Sequence, residues 1–177
     1  EVIDALLVRR RHAYAECDAL VETDGRSIDA IAREVVERFL ERRDALLVPL
    51  GLESYPVILG EGVASRLASE LGRLSPPVTR LLVVTDENVS ERARSWTEGL
   101  TFPVTHVVLS PGESAKTLES VSTIWDAALG AHLDRDACVV AIGGGVVGDL
   151  AGFAAATLLR GLRWIQMPTT LLAMVDS

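Results

Sequence analysis

The sequence is poor in the residue types that mark several large classes of protein. Its 177 residues include two cysteines, Cys17 and Cys138, which lie far apart inside apolar runs. We therefore expect buried free thiols in a reducing compartment rather than a disulfide framework. The three histidines, His12, His106 and His132, lack the spacing of a metal site. The formal net charge is −8 and basic residues form no stripe, which argues against nucleic acid as a partner.

The sequence also lacks an apolar run long enough to cross a membrane. Its most apolar segment, residues 150–159, is bounded by Asp149 and Arg160. As a helix it would span about 15 Å, whereas a bilayer core is roughly 30 Å thick. No signal peptide opens the sequence. These absences predict a soluble, cytoplasmic protein that does not bind membranes.

The patterns that are present alternate between strand and helix. A predicted hairpin comes first, with strands at residues 46–50 and 55–59. Further strands are predicted at residues 80–85, 104–109, 137–142 and 163–167, and helices at residues 63–74, 89–99, 114–132 and 150–160. This alternation is typical of the α/β class, so we expect a doubly wound, mostly parallel sheet with an N-terminal hairpin. Ligands of such sheets bind at the carboxyl ends of the strands.

The first 44 residues have a different pattern of helix, short strand (residues 19–22) and helix. Ser27 is a suitable N-cap for the second helix. The inner side of that helix would carry Ile28, Ile31, Val35 and Leu40. The charged residues 41–44 end the segment, and we therefore divide the chain into residues 1–44 and residues 45–177.

A glycine-rich turn is the most informative feature. Gly143, Gly145 and Gly148 satisfy the pattern G-x-G-x-x-G between a predicted strand and a predicted helix. Glycine lets a backbone approach a ligand closely, and a helix N-terminus favours an anion. No acidic residue follows at the distance where a dinucleotide-binding motif would hold a ribose, so the pattern alone is weak. We interpret the turn as a phosphate site in preference to a purely structural turn.

Charged residues are rare after this turn, so each needs an explanation. Asp149 could complement a helix dipole or act in a site, and the same alternatives are open for Arg160. Eleven residues apart on one helix, they would be separated by about 16 Å, too far for one small substrate to touch both within a subunit. Asp176 follows an apolar run, which is an unusual position for a solvated charge.

Polar residues also follow the other predicted strands. Asp86 and Asn88 could cap a helix or accept hydrogen bonds from a ribose. Glu113 and Lys116 are three residues apart and could simply pair on a helix. Hydroxyl groups at Thr169 and Thr170 could bind a cofactor or serve as caps.

Taken together, these segments resemble the 3-dehydroquinate synthases, sugar-phosphate cyclases of the shikimate pathway. The resemblance rests on six stretches in family order, namely residues 55–60, 85–89, 111–116, 143–153, 160–161 and 168–177. It covers the chain from about Leu46 onward and implies the truncated N-terminal domain of such an enzyme, without its helical second domain.

The resemblance implies an NAD site. Asp86 and Asn88 would hold the adenosine end, Glu113 and Lys116 would contribute to nucleotide binding, and Gly144, Gly145 and Val146 would face the pyrophosphate. Asp149, Thr169 and Thr170 would complete the pocket. Arg160 and Asp176 would contact the substrate, with the arginine supplied by the neighbouring subunit of a homodimer.

The implied reaction is the NAD- and zinc-dependent cyclisation of 3-deoxy-D-arabino-heptulosonate 7-phosphate to 3-dehydroquinate with release of phosphate. NAD would oxidise one alcohol transiently, phosphate would leave by β-elimination, and hydride return and an aldol closure would follow. The zinc ion, or another divalent metal such as cobalt, would bind a glutamate and two histidines beyond Ser177. We therefore expect no metal site in this chain and no turnover by it.

The leading segment resembles a different family. Residues 10–27 look like the carboxyl-terminal tail of shikimate kinase, in which Arg10 would touch shikimate and Arg26 would lie near adenine. The kinase P-loop and lid are absent from this sequence, so neither ligand would bind. The chain therefore looks like an internal piece of a fused kinase–synthase polypeptide.

Three alternatives are open. A polyol dehydrogenase of the iron-containing alcohol dehydrogenase type shares the two-domain plan. Another sugar-phosphate cyclase would use the same cofactor on a different substrate. A non-catalytic nucleotide-binding module would bind NAD without any reaction.

Overall fold

The computed structural model describes residues 21–41, 45–50 and 54–175, and for residues 35–41 it describes the backbone alone. The chain divides into two compact units, residues 1–63 and 64–177. The helix predicted at the start of the chain lies outside the described residues. Of the strand predicted at residues 19–22, Val21 and Glu22 are described and have no regular secondary structure.

The first unit contains helix α1 (Ile28–Glu41) and an antiparallel pair of strands, β1 (Ala45–Val48) and β2 (Tyr55–Ile58). The Oγ of Ser27 accepts a hydrogen bond from the N–H of Ala30 at 3.3 Å, which confirms the predicted N-cap. Ile28 is 84% exposed, so its predicted place on the inner side of the helix is wrong. As the first residue of α1, it lies at the end of the helix. The hairpin is confirmed, with each strand one residue shorter than predicted.

The second unit is built on four strands. These are β3 (Leu81–Asp86), β4 (Val104–Leu109), β5 (Cys138–Gly143) and β6 (Arg163–Pro168). Their spatial order is β4-β3-β5-β6, and every pairing is parallel. Helices α2 (Leu67–Arg73), α3 (Ser90–Thr97), α4 (Leu118–Gly130), α5 (Gly145–Thr157) and α6 (Leu171–Val175) accompany them.

Both faces of this sheet are covered, which confirms the doubly wound architecture. Successive side chains of a strand point to opposite faces. On one face, Val84 and Ala141 pack into a core that includes Ile124 of α4 and Ala151 of α5. On the other face, Val83 and Val140 pack with Leu71 of α2 and Ala93 of α3. Because both faces are buried, β3 and β5 are continuous apolar runs rather than alternating ones.

Each of the four helices predicted after the hairpin has different bounds in the structure. Helix α2 begins at Leu67 rather than at residue 63, and α3 spans Ser90–Thr97 rather than residues 89–99. Helix α5 begins at Gly145 rather than at Leu150, because the glycines of the turn continue into its first two turns. It ends at Thr157, since Leu159, Arg160 and Gly161 all have positive φ angles, of 51°, 72° and 101°, which no right-handed helix contains. Arg160 therefore does not lie in the last turn of a helix. Similarly, α4 begins at Leu118, because Thr117 caps it by accepting a hydrogen bond from the Ser120 N–H at 3.2 Å.

Candidate functional site

The strand order of the sheet reverses at β3. From β3 the chain runs to β4 on one side and then to β5 on the other side of β3. Ligands of open parallel sheets bind where the order reverses in this way, outside the carboxyl ends of the strands. The carboxyl ends of β3 and β5 are Asp86 and Gly143. The structure thus brings the predicted glycine turn and the predicted acidic residue to neighbouring strand ends.

The N-terminus of α5 offers unpaired backbone donors at this edge. Its N-cap is Gly144, which has no side chain to accept a hydrogen bond from the first turn. The first N–H groups of a helix have no partner within the helix, and they carry the positive end of its dipole. A methyl group added to Gly145 would meet no atom within 4 Å, so the space beside this residue of the first turn is open. This arrangement suits a phosphate or diphosphate.

The other glycines of the turn serve packing instead. A Cβ on Gly143 would lie 2.6 Å from Cγ2 of Val147. One on Gly148 would lie 2.9 Å from Nε2 of Gln166 on β6. Of the three glycines in the sequence pattern, only Gly145 thus faces open space. Gly148, the third glycine of the pattern, lets α5 approach β6 closely, which is the packing role that the third glycine of such a turn has.

Lys116, the only lysine of the sequence, joins two elements at the same edge. Its Nζ lies 2.9 Å from Oδ2 of Asp149 on α5 and 3.0 Å from Oε1 of Glu113 in the connection between β4 and α4. The hydrogen bond to Asp149, followed by that to Glu113, raises the pKa of the lysine above its ordinary value. Three residues predicted for the cofactor site are therefore in direct contact. The predicted local ion pair of Glu113 with Lys116 is also present. A local pair and a role in the cofactor site are therefore compatible for these two residues.

Asp86 ends β3 and is partly buried. Its Oδ1 accepts a hydrogen bond from the backbone N–H of Asn88 at 2.9 Å, which closes a local turn. Neither residue caps α3, whose N-cap is Val89 and has no side-chain hydrogen bond. The Asn88 side chain is exposed. Among the described residues, the buried Oγ1 of neighbouring Thr85 has no partner, a feature that the sequence did not reveal.

The two threonines after β6 reach the glycine turn. The backbone N–H of Thr169 donates to the carbonyl oxygen of Gly143 at 2.8 Å, which ties the end of β6 to that of β5. Oγ1 of Thr170 accepts from the N–H of Ala173 at 3.2 Å and so caps α6. The Thr170 methyl group lies 3.4 Å from where a Cβ of Gly144 would be. Thr170 therefore both caps α6 and lies next to the candidate phosphate site.

The predicted substrate residues are not brought together by the described structure. Arg160 is exposed, three residues beyond the end of α5, and Asp176 lies outside the described residues. Since α5 ends before Arg160, the separation of about 16 Å estimated for a continuous helix does not apply. Arg163, the other arginine after the glycine turn, has a structural role. Its guanidinium donates hydrogen bonds to the backbone carbonyl oxygens of Pro76 and Asp136.

The residues predicted for a kinase remnant lie in the first unit. Arg10 is outside the described residues. Arg26 forms an ion pair with Glu34 and donates to the carbonyl oxygen of Glu22 at 3.0 Å. These contacts are all local to the start of α1.

The part of the chain that the structure describes contains no group of three or more histidine, cysteine, aspartate or glutamate side chains that could hold a metal ion. Cys138 is buried, and burial raises the pKa of its thiol to about 12. Within the same described ranges, no helix is both long enough and apolar enough to span a membrane.

Comparisons with known proteins point to one group of enzymes. Residues 106–177 match the family described as "3-dehydroquinate synthase N-terminal". A 3-dehydroquinate synthase from Symbiobacterium thermophilum is 46% identical over 132 residues, which cover 72% of this chain and 37% of that protein. The chain thus spans a little over a third of the length of this relative.

Solved structures agree in fold. A 2-deoxy-scyllo-inosose synthase complexed with carbaglucose-6-phosphate, NAD+ and Co2+ superposes with a TM-score of 0.66 and 26% identity, over 75% of this chain and 36% of that one. A 2-epi-5-epi-valiolone synthase from Streptomyces hygroscopicus with NAD+ and Zn2+ bound gives a TM-score of 0.52 and 32% identity, over 63% of this chain and 32% of that one. The α/β fold with a parallel sheet is therefore that of dehydroquinate synthase-like enzymes.

Proposed function

We propose that this chain, whose residues 106–177 match the 3-dehydroquinate synthase N-terminal family, carries the NAD-binding part of a 3-dehydroquinate synthase. The observation that carries the proposal is the open N-terminus of α5 with Lys116 held beside it through Asp149. A helix N-terminus and an ammonium group are the two features that a diphosphate requires. The 46% identity to a 3-dehydroquinate synthase supports the same assignment.

The chemistry of the described residues supports an NAD site. The N–H groups of Gly145 and Val146 would bind the diphosphate, and Lys116 would supply a positive charge. Asp86 and Asn88 would bind the adenosine end, because a carboxylate and an amide can bond to ribose hydroxyls. Glu113, Asp149, Thr169 and Thr170 would complete the pocket. When bound, NAD supplies a reversible hydride acceptor, and the protein's task is to bind and orient it.

The reaction that we propose for the whole enzyme is the conversion of 3-deoxy-D-arabino-heptulosonate 7-phosphate to 3-dehydroquinate with loss of phosphate. Arg160 and Asp176 would contact this substrate. The exposed position of Arg160, beyond the end of α5, fits a role toward a neighbouring subunit of a homodimer. The described residues contain no group of side chains that could hold a metal ion, and we assign the metal to the part of the enzyme that this chain does not span.

A second candidate is another sugar-phosphate cyclase, because the superposed structures include synthases that make other products. The higher identity to 3-dehydroquinate synthase, 46% against 26% for the 2-deoxy-scyllo-inosose synthase, favours the first candidate. We also propose that residues 10–27 are a shikimate kinase-like tail. Its support is the sequence resemblance alone, and reading the coding sequence upstream of Glu1 would test it through the presence or absence of a kinase P-loop.

A chimaeric enzyme tests the proposed reaction. The matching part of this chain would replace the corresponding N-terminal part of the Symbiobacterium relative, and phosphate release from the heptulosonate phosphate would be measured with NAD and a divalent metal. We expect activity within about tenfold of the parent enzyme, and in the Lys116→Ala chimaera a need for about tenfold more NAD to reach half of its full activity. A folded chimaera that binds NAD but releases no phosphate would contradict the proposed reaction. Formation of a different cyclic product from another sugar phosphate would favour the second candidate.

A further inference from the structure

Helix α5 rests on strand β6 along a line of glycines. Gly144, Gly148 and Gly152 are spaced four residues apart and so lie on one side of the helix. Opposite each glycine is a side chain from β6 or the residues just after it. The distances from the positions of added Cβ atoms are 3.4 Å to Thr170, 2.9 Å to Gln166 and 3.2 Å to Trp164. A Cβ at position 148 or 152 would thus be closer to β6 than ordinary contact allows, whereas one at position 144 would make ordinary van der Waals contact with Thr170.

Gln166 makes the tightest of these contacts. It is partly buried and is paired in register with Ala141 of β5. A Cβ on Gly148 would lie 2.9 Å from its Nε2 and 3.4 Å from its Cδ. The carboxamide group therefore fills the space that the missing side chain of Gly148 leaves between helix and strand.

The contact lies one turn from the candidate diphosphate site. The N–H of Gly148 donates to the carbonyl oxygen of Gly144 at 3.1 Å, which closes the first turn of α5. The N–H groups of Gly145 and Val146 belong to this turn. A shift of Gly148 away from β6 would therefore move the donors that face the ligand.

We propose that Gln166 is a positioning residue: its carboxamide acts as a spacer that fixes the first turn of α5 against β6 and so aligns the N–H groups of that turn with a diphosphate. The inference rests on the proposed NAD site and adds to it a residue that touches no ligand. Its effect reaches only the diphosphate, because the adenosine end is assigned to Asp86 at the end of β3 and to Asn88 in the turn that follows.

The test compares the binding of ADP, which carries the diphosphate, with that of adenosine, which does not. Gly148→Ala adds a methyl group against the carboxamide. We expect it to weaken ADP binding by about tenfold, which corresponds to the loss of one charge-assisted hydrogen bond. Adenosine binding should stay unchanged within about twofold. Adding Gln166→Ala to that variant removes the obstructing carboxamide and should recover most of the affinity. Gln166→Met, which conserves volume, should stay within about threefold of the unaltered chain.

Gly130→Ala is the matched control, since a Cβ there meets no atom within 4 Å. It should leave ADP binding unchanged. Equal losses for ADP and adenosine in Gly148→Ala, no loss at all, or failure of the double variant to recover would each overturn the role of Gln166. If the unaltered folded chain binds no ADP, the proposed NAD site itself fails, and this inference fails with it. Far-ultraviolet circular dichroism of every variant separates these outcomes from unfolding.

Discussion

The ammonium group of Lys116 lies 2.9 Å from Oδ2 of Asp149, and this contact joins the connection after β4 to the second turn of α5. Both side chains are partly exposed, with relative accessibilities of 35% and 59%. Exposed ion pairs contribute little to stability, because water screens them. The ion pair therefore serves mainly to position Lys116. It holds the single lysine of the chain near the N-terminus of α5, which is open to an anion.

Substitution of Lys116 should affect the cofactor more than the fold. Lys116→Ala removes the charge next to the proposed diphosphate, and we expect NAD affinity to fall by about tenfold or more with little change in the free energy of unfolding. Calorimetric titration with NAD and urea unfolding measure the two quantities. Arg73→Ala is the matched control, since it removes a similar exposed pair with Glu70, of 2.8 Å, from α2. Equal NAD affinity in both variants would refute the role of Lys116.

The raised pKa of Lys116 can be measured directly, because no other lysine contributes a signal. Reductive methylation with ¹³C-formaldehyde labels Lys116 and the terminal amine, and NMR follows their titration. We expect the native midpoint of Lys116 to lie above its value in urea, and Asp149→Asn to reduce the difference. Because the folded pKa is the higher one, the stabilisation by this pair is complete below the unfolded pKa and is lost as pH rises through the folded pKa. A native midpoint at or below the unfolded one would show that the ion pair is absent in solution.

Two glycines of the turn should respond in opposite ways to alanine. Gly145→Ala places a methyl group in open space at the start of α5, so we expect stability to be unchanged or raised by up to about 1 kcal/mol. Its NAD affinity should fall, since the methyl group occupies the approach to the diphosphate. Gly143→Ala brings a Cβ to 2.6 Å from the side chain of Val147 and should cost about 1–3 kcal/mol of stability. Thermal unfolding and NAD titration of both variants give the comparison. A stable Gly143→Ala protein or an unchanged NAD affinity in Gly145→Ala would contradict the assignment of roles.

His106 should make the stability of the chain depend on pH near neutrality. Burial, followed by the nearby positive charge of Arg94, lowers the pKa of its imidazole below the ordinary value of 6.5. Its Nε2 lies 3.3 Å from Oγ1 of Thr97. The unfolded chain binds a proton at His106 more readily than the folded chain does. The contribution of His106 to the free energy of unfolding is therefore fully present above pH 6.5 and is lost as pH falls through the pKa of His106 in the folded chain.

His106→Gln should remove this part of the pH dependence. Urea unfolding at several pH values between about 5 and 8 provides the test, with His132→Gln as the control on an exposed histidine. The idea fails if the two variants keep the same slope of stability against pH as the unaltered chain.

The sequence predicts the architecture of the second unit because the determining patterns are local. The buried strands β3 and β5 are continuous apolar runs, and each is followed by a helix pattern, which specifies a parallel sheet covered on both faces. The carboxyl ends of the strands follow from the same pattern. For this reason the sequence predicts that the glycine turn and Asp86 lie at the same end of the sheet.

Features that depend on tertiary contacts were not predictable in the same way. The predicted start of α5, at residue 150, lies five residues after the observed start at Gly145. Glycine has low helix propensity, and the packing of these glycines against β6 is not visible in the sequence of the helix alone. The positive φ angles of Leu159 and Arg160 depend on a turn that non-glycine residues rarely adopt. The bonds from Arg163 to the backbone of Pro76 and Asp136 join residues far apart in sequence. The spacing of Gly144, Gly148 and Gly152 is visible in the sequence, but the pattern G-x-G-x-x-G includes only Gly148 of these three.

Isothermal titration calorimetry of the folded chain with NAD tests the central claim most directly, with ADP-ribose and adenosine as companion ligands. The account predicts saturable heat for NAD and ADP-ribose, much weaker binding of adenosine, and a further loss of NAD affinity in Lys116→Ala. A folded chain that gives no heat with NAD, or that binds adenosine as tightly as NAD, would contradict the claim that the first turn of α5 and Lys116 bind the cofactor through its diphosphate.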